Sequence, residues 1–498
     1  MPDYLAPGVF VEEIERGPRP IQGVATTTTA FLGETARGPV QPRLITSYGE
    51  YLRLFGGIFR DCYLPHAVKG FFDNGGRRAW VARIAGPSAA GAEVDLGGFT
   101  VRAIGPGEST NRTWARIEPG STKDAGGNPT GFRLRLAWWS AAAAFDPVDS
   151  PGAVPRPDLI EDFDDLSLNP ASPSFWDKRV NHGNSSLVTI AVAEDAVLPN
   201  APAGAALGGG LDGARPNAAD YAGEAGQTGL GALSRRRDVA IVAVPAASVE
   251  VQRLLIAHCE QDRLRFAVLD GQPGTLDWAR LDPRTEVAES KYAAIYYPWI
   301  EIADPETGKP IRVPPSGAVC GIYARTDNNR GVWKAPANET VAGAIGLEHD
   351  FNHQTQEVLN PKGVNLIRRF PGRGIRVWGA RTLSSDQLWK YVNVRRLFIY
   401  IEHSIAAGTE WVVFEANDAA LWARVKETIR LFLRSQWREG ALIGATEDEA
   451  FHVAVGRDTM TEDDIANGWL IVEIGLAAVR PAEFVVFRIF QKTCEAED

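Results

Sequence analysis

Two histidines, His349 and His353, stand four residues apart in the run Glu348-His-Asp-Phe-Asn-His353. On a helix that spacing turns both imidazoles to one side, as a metal site requires. The run is not His-Glu-x-x-His, and its Asp, Phe and Asn make a poor helix, so a polar loop is expected. Gly308-Lys309 lacks the upstream glycine and the following Ser or Thr of a phosphate-binding loop, and it falls in a hairpin. Gly208, Gly209 and Gly210 do not stand between a strand and a helix, so they make no dinucleotide fingerprint. No Gly-x-Ser-x-Gly elbow occurs. Asp162, Asp164 and Asp165 lack the glycine and distal glutamate of a calcium loop and read as a solvated loop. Cys62, Cys259, Cys320 and Cys494 are scattered without a CxxC pair, which fits reduced thiols and excludes a zinc ribbon. No catalytic, cofactor-binding or metal-binding set emerges, and no enzymatic activity is expected.

One set of side chains is regular enough to recognise a partner. Lys426, Arg430, Arg434 and Arg438 recur every four residues on a helix that Asn417 and Asp418 open and that ends before Gly440. Trp422, Val425, Ile429, Phe432 and Leu433 form its apolar face. A row of cations on a helix is commonly a solvated flank. In a chain of net charge −10 it also suits an acidic partner.

The elements that position these residues fall into five stretches. The 498 residues favour two or three domains, and 45% apolar content supports a real core. Residues 1–23 read as an extended arm: Val9-Phe-Val-Glu-Glu-Ile14 is strand-like, and Gly17, Pro18, Pro20 and Gly23 forbid a helix. Residues 24–90 read as the first part of a core, with strands at 24–32 and 79–84 and a helix at 48–55 capped by Ser47. Residues 91–237, rich in Gly, Ala, Pro, Ser and Asp, read as an inserted β-rich domain with flexible loops such as Ala201–Gly213. Residues 238–480 resume the core. Strand 239–244, helix 248–261 and strand 266–269 form a βαβ unit, which implies a right-handed crossover between parallel strands. Asn393 is expected to cap a helix that places Leu397, Ile401 and Ile405 on one face, and Trp411-Val-Val-Phe414 follows as an apolar run. Strand-like runs at 450–455 and 469–479 close the core. Residues 481–498 form a second arm, with Phe484, Val486, Arg488 and Phe490 on one face of a strand and Val485, Phe487 and Ile489 on the other. The fold class is α+β or α/β: a discontinuous mixed-sheet core from N- and C-terminal parts, an inserted β-rich domain and extended terminal arms.

Asn393-Val-Arg-Arg-Leu-Phe-Ile-Tyr-Ile-Glu402, Val413-Phe-Glu-Ala-Asn417, Leu421-Trp422 and Pro481-Ala-Glu-Phe484 resemble the C-terminal core of contractile tail sheath proteins, the family of phage tails, tailocins and extracellular contractile injection systems. Tyr4-Leu-Ala-Pro-Gly-Val-Phe-Val-Glu-Glu13 resembles its N-terminal arm, and Leu207-Gly-Gly-Gly-Leu-Asp-Gly213 the return from its outer insertion. Tyr292 to Gly321 and Trp378-Gly-Ala-Arg-Thr382 fit as well. The resemblance implies a structural subunit without bond chemistry. Copies would stack as hexameric rings around an inner tube and contract to drive the tube through a target envelope. Its partners would be further copies of itself, the inner tube protein, and baseplate and terminator or cap proteins, with no direct nucleic-acid contact and no membrane insertion.

Within that frame Lys426, Arg430, Arg434 and Arg438 are expected to contact the inner tube. Val9, Phe10, Val11, Ile14, Phe484, Val486, Phe487, Arg488 and Phe490 are expected to exchange strands between subunits. Met-Pro-Asp-Tyr has neither the basic nor the apolar region of a secretory signal, so assembly in the bacterial cytoplasm is expected. Two other readings are a baseplate or sheath-cap component, and an α/β enzyme using His258 or His349.

Overall fold

A computed structural model describes residues 20–274, 281–305, 307–486 and 488. The chain divides into two compact units. One comprises Ala25–Arg396 with the residues from Glu483 onward, and the other the residues up to Val24 with Leu397–Ala482. The second boundary cuts through a continuous helix, Val392–Gly408, so composition gives no sign of it.

The larger unit is built on a nine-stranded mixed sheet. Its centre is parallel: Ala79–Arg83, Thr29–Gly33, Ile241–Ala243, Phe266–Asp270, Ala293–Tyr297 and Val364–Phe370 lie side by side. Several of these strands read as near-continuous apolar runs because parallel strands are covered on both faces, and Thr29–Gly33, Phe266–Asp270 and Ala293–Tyr297 are buried at every position. Antiparallel strands finish the edges, Arg43–Ile45 at one end and Gly374–Val377 followed by Glu339–Thr340 at the other. The βαβ unit forms as expected: Ser248 caps the helix Val249–Asp262 between two parallel strands. The strand expected from Tyr292 to Ile302 breaks at Pro298. It becomes Ala293–Tyr297 in the large sheet and Ile300–Ala303, which pairs with Pro310–Val313.

The inserted segment folds as two further sheets. Phe99–Ala103 lies between Glu93–Asp95 and Val188–Val192. A four-stranded sheet runs Ala203–Ala206, Thr113–Pro119, Phe132–Trp138, Leu159–Leu166. Phe99, Val101, Ile117, Phe132, Leu134, Leu136 and Trp138 share one apolar cluster. Two expectations need correction here. Asp162, Asp164 and Asp165 are not in a solvated loop but in the strand Leu159–Leu166, where Arg133 donates to both oxygens of Asp162 at 2.7 and 2.6 Å. Cross-strand arginines offset the charge that made the run look solvated. Ala203–Ala206, inside the expected loop, pairs along Thr113–Pro119 by backbone hydrogen bonds that need no apolar side chain.

The smaller unit contains the helix Ala419–Arg438 and a hairpin, Phe451–Val455 with Val472–Leu476. Asp418 caps the helix, its carboxylate accepting from Leu421 N–H at 2.8 Å. Leu421, Val425, Ile429, Phe432 and Leu433 are buried, and the helix packs on the strand Phe451–Val455. Asn393, expected as a cap, lies inside the helix Val392–Gly408 and donates instead to the Trp333 carbonyl at 2.8 Å. Trp411-Val-Val-Phe414 makes no strand. Glu410–Val412 is a single 3-10 turn, and Phe414 adopts a left-handed backbone (φ 68°) with its ring fully exposed.

Candidate assembly surface

The four cations of the helix Ala419–Arg438 do not share one environment. Lys426, Arg430 and Arg438 are exposed and Arg434 is half-buried. Arg430 and Arg434 both donate to the carboxylate of Glu447, Arg434 at 2.8 Å. That pairing holds the Glu447 carboxyl below the usual range, chiefly through Arg434. Among the described residues Lys426 and Arg438 make no ion pair. Glu447 belongs to the short helix Glu447–Ala450, immediately before the hairpin. The pairing therefore ties the middle of the row to the entrance of the hairpin.

That hairpin is a two-stranded sheet. Phe451 opposite Leu476, Val453 opposite Ile474 and Val455 opposite Val472 share one face, and His452, Ala454, Glu473 and Gly475 the other. Ala477 and Val479 continue the ladder by donating to Ala450 O and Ala441 O at 2.9 and 3.2 Å. Among the described residues no further strand pairs with either outer edge. Two strands alone are marginal in water, and open edges invite a third.

The described residues next to each expected terminal arm, its root, are held in place. On the C-terminal side the Glu483 carboxylate takes both Arg381 Nε and Nη2 at 2.7 Å, Asn360 Nδ2 at 2.9 Å and the Tyr391 hydroxyl at 3.0 Å. Lys390 Nζ lies 3.5 Å away. Part-burial works against ionisation, but the Arg381 and Asn360 bonds prevail and hold the carboxyl down to about 2. Phe484, Val485 and Val486 follow directly, all strongly exposed. On the N-terminal side residues 21–24 lie along the helix Val392–Gly408. Ile21 is buried with Gly408 beneath it, Gly23 faces Tyr400, and Val24 N–H donates to Ser404 Oγ at 3.1 Å. Tyr400, Ser404 and Gly408 are four apart and so form one row.

Of the expected strand-exchange residues, Phe484, Val486 and Arg488 are exposed and join no ladder among the described residues. Val9, Phe10, Val11, Ile14, Phe487 and Phe490 lie outside the described residues. Sequence reasoning missed both roots. The motif Pro481-Ala-Glu-Phe484 contains Glu483, but Arg381 is remote in sequence and no spacing links them.

The residues of the enzyme reading are engaged structurally. His258 lies 2.7 Å from Arg265 Nη1, and burial, then that guanidinium, pushes it down to about 4. His349 packs between Tyr297 and Phe351, while His353 begins the helix His353–Leu359 beyond the Asn352 cap, so the two histidines do not share a helix. Asp270, which burial pushes up to about 7, accepts from Ser316 N and Oγ at 2.7 Å, at the start of the helix Ser316–Arg330. Among the described residues no three His, Cys, Asp or Glu side chains gather as a metal-binding group, and no helix is long and apolar enough to cross a membrane.

Comparison with known proteins follows the same outline. Residues 220–383 match the phage tail sheath protein central domain, and residues 384–492 the phage tail sheath C-terminal domain. The tail sheath protein of Burkholderia phage BcepMu is 21% identical, over 96% of this chain and 95% of the relative. The anti-feeding prophage helical sheath in its contracted state superposes with a TM-score of 0.61 at 24% identity, covering 98% of this chain and all of that one. The contracted sheath of an extracellular contractile injection system, PVC, gives 0.60 at 23% identity, covering 99% of each chain. The two sheath domains are thus matched end to end and the fold of contractile sheaths spans nearly the whole chain, which belongs to the phage tail sheath protein family.

Proposed function

We propose that this chain polymerises as stacked hexameric rings around an inner tube and contracts to drive that tube through a target envelope. It does no bond chemistry. The observation that supports this best is the hairpin whose outer edges pair with no further strand among the described residues, in a chain where Glu483 leads straight into exposed apolar residues. An apolar strand and an unpaired edge complete each other when copies exchange them, and main-chain bonds hold register while the bodies stay free to move. In this reading Val9–Ile14 and Phe484–Phe490 are donated to the outer edges of neighbouring hairpins. The links persist from the extended to the contracted state.

The row Lys426, Arg430, Arg434 and Arg438 faces the tube, with Lys426 and Arg438 offering charge that Glu447 does not already engage. Exposed ion pairs are weak and salt-screened, which suits a surface that must release. The other partners are baseplate and terminator proteins, and assembly takes place in the bacterial cytoplasm. Electron microscopy of the chain co-expressed with its tube protein tests the proposal. Striated hollow cylinders are expected, and isolated particles at all concentrations would overturn it.

A further inference from the structure

A glutamate at the start of a free tail has no need of partners, because water solvates it well. Glu483 instead meets a receptor assembled from three parts of the larger unit. Arg381 is almost fully buried and is fixed through its own backbone: its N–H donates to Asn365 Oδ1 at 2.7 Å, and its carbonyl accepts from Asn365 Nδ2 at 2.8 Å. Asn365 also donates to the Ile295 carbonyl at 3.1 Å, which links the group to the parallel strand Ala293–Tyr297. The Arg381 guanidinium reaches the Asn360 carbonyl at 2.9 Å with Nη1, leaving Nε and Nη2 for both oxygens of Glu483. A two-pronged pair of this kind fixes direction as well as position. Asn360 Nδ2 and the Tyr391 hydroxyl close the remaining acceptor sites. The next three residues, Phe484, Val485 and Val486, are exposed apolar side chains.

We propose that Glu483 is the positioning residue of the C-terminal arm, anchoring it to the large sheet so that it leaves the subunit in one direction toward a second copy of this chain. This rests on the strand-exchange reading above. An unanchored tail must give up its swing each time it pairs, whereas an anchored one has already lost most of that freedom. The anchor also determines where tension goes. A pull on the arm reaches Arg381 and, through Asn365, the middle of the nine-stranded sheet.

Four proteins test the anchor: the full chain, a deletion of 484–498, Glu483→Ala and Glu483→Gln. Each is measured for its melting temperature and for the critical concentration of cylinder formation by light scattering. A nitroxide at Val485→Cys, with Cys62 and Cys494 replaced by Ser, reports arm motion in the unassembled subunit. The parent label should be restricted and the Glu483→Ala label fast. The critical concentration should rise about tenfold or more in Glu483→Ala, the factor that 1.4 kcal/mol supplies, when measured well below the variant's melting temperature, which itself falls because Arg381 loses its partner. Glu483→Gln, which keeps the shape but offers one acceptor oxygen where Glu483 offers two, should fall between, and it carries the test if Glu483→Ala does not fold. If the deletion abolishes cylinders while Glu483→Ala, or Glu483→Gln in its place, assembles at the parent concentration, the anchor is wrong and strand exchange stands. If the deletion itself assembles normally, strand exchange fails and the anchor fails with it.

Discussion

At Glu483 one carboxylate collects four hydrogen bonds from three residues, and its acidity records them. Its ordinary value of 4.5 falls to about 2 in the folded chain. A carboxyl lowered by folding stabilises the fold fully above its unfolded value, and that contribution is lost as pH falls through its folded value. The window for Glu483 therefore runs from about 4.5 down to about 2. Glu483→Gln should remove this part of the acid limb, so that unfolding free energy from urea titrations falls less steeply across that window. An unchanged limb would mean that the group contributes nothing. Little of this is legible in sequence. Asp418 can be read as a cap because its partner, Leu421 N–H, is three residues away. Arg381 lies 102 residues from Glu483, and only the folded sheet brings them together.

Among elements, the helix Ala419–Arg438 is the clearest example of what pattern does and does not specify. Its 3.6-residue periodicity gives most of the buried face: Val425, Ile429, Phe432 and Leu433 are buried, whereas Trp422 is half-buried and Leu421 takes the buried place beside it. The charges on its flank carry no such information, because a cation looks the same whether a neighbour neutralises it or not. Glu447, 13 residues beyond Arg434, makes that difference. Reversing Lys426 and Arg438 together to Glu leaves the Glu447 pairs intact. It should weaken extended sheath on tube more than contracted sheath, by under about 1 kcal/mol per charge. The loss should shrink as salt is raised. Equal loss of both forms in an electron-microscopic salt series would place the row in a contact between sheath subunits or in solvent.

The N-terminal root offers a sharper test on the helix Val392–Gly408. A Cβ at Gly408 would lie 2.6 Å from Ile21 Cγ1, so Gly408→Ala should lift the root off its row. The expected variant stays folded, with at most the loss of Ile21 burial, but assembles poorly. Normal cylinders would show that the root's position does not matter to assembly.

For the whole molecule, the mixed-sheet class and the βαβ unit are legible because parallel strands must be apolar throughout and the crossover helix is capped in sequence. The unit boundary at Leu397 is not, because the helix continues across it. The strands at Ala203–Ala206 and Leu159–Leu166 are hidden for a related reason: one has almost no side chain, and the other depends on arginines from a neighbouring strand. Removing residues 1–16 should leave a folded, soluble subunit that no longer polymerises, because the hairpin loses a donated strand. The most direct measurement is a cryo-EM map of the assembled cylinder with side chains visible around Phe451–Val455 and Val472–Leu476. The expected result is that each outer edge of this hairpin pairs with a terminal arm from a neighbouring copy. Bare edges, or edges covered by the subunit's own arms, would contradict the account.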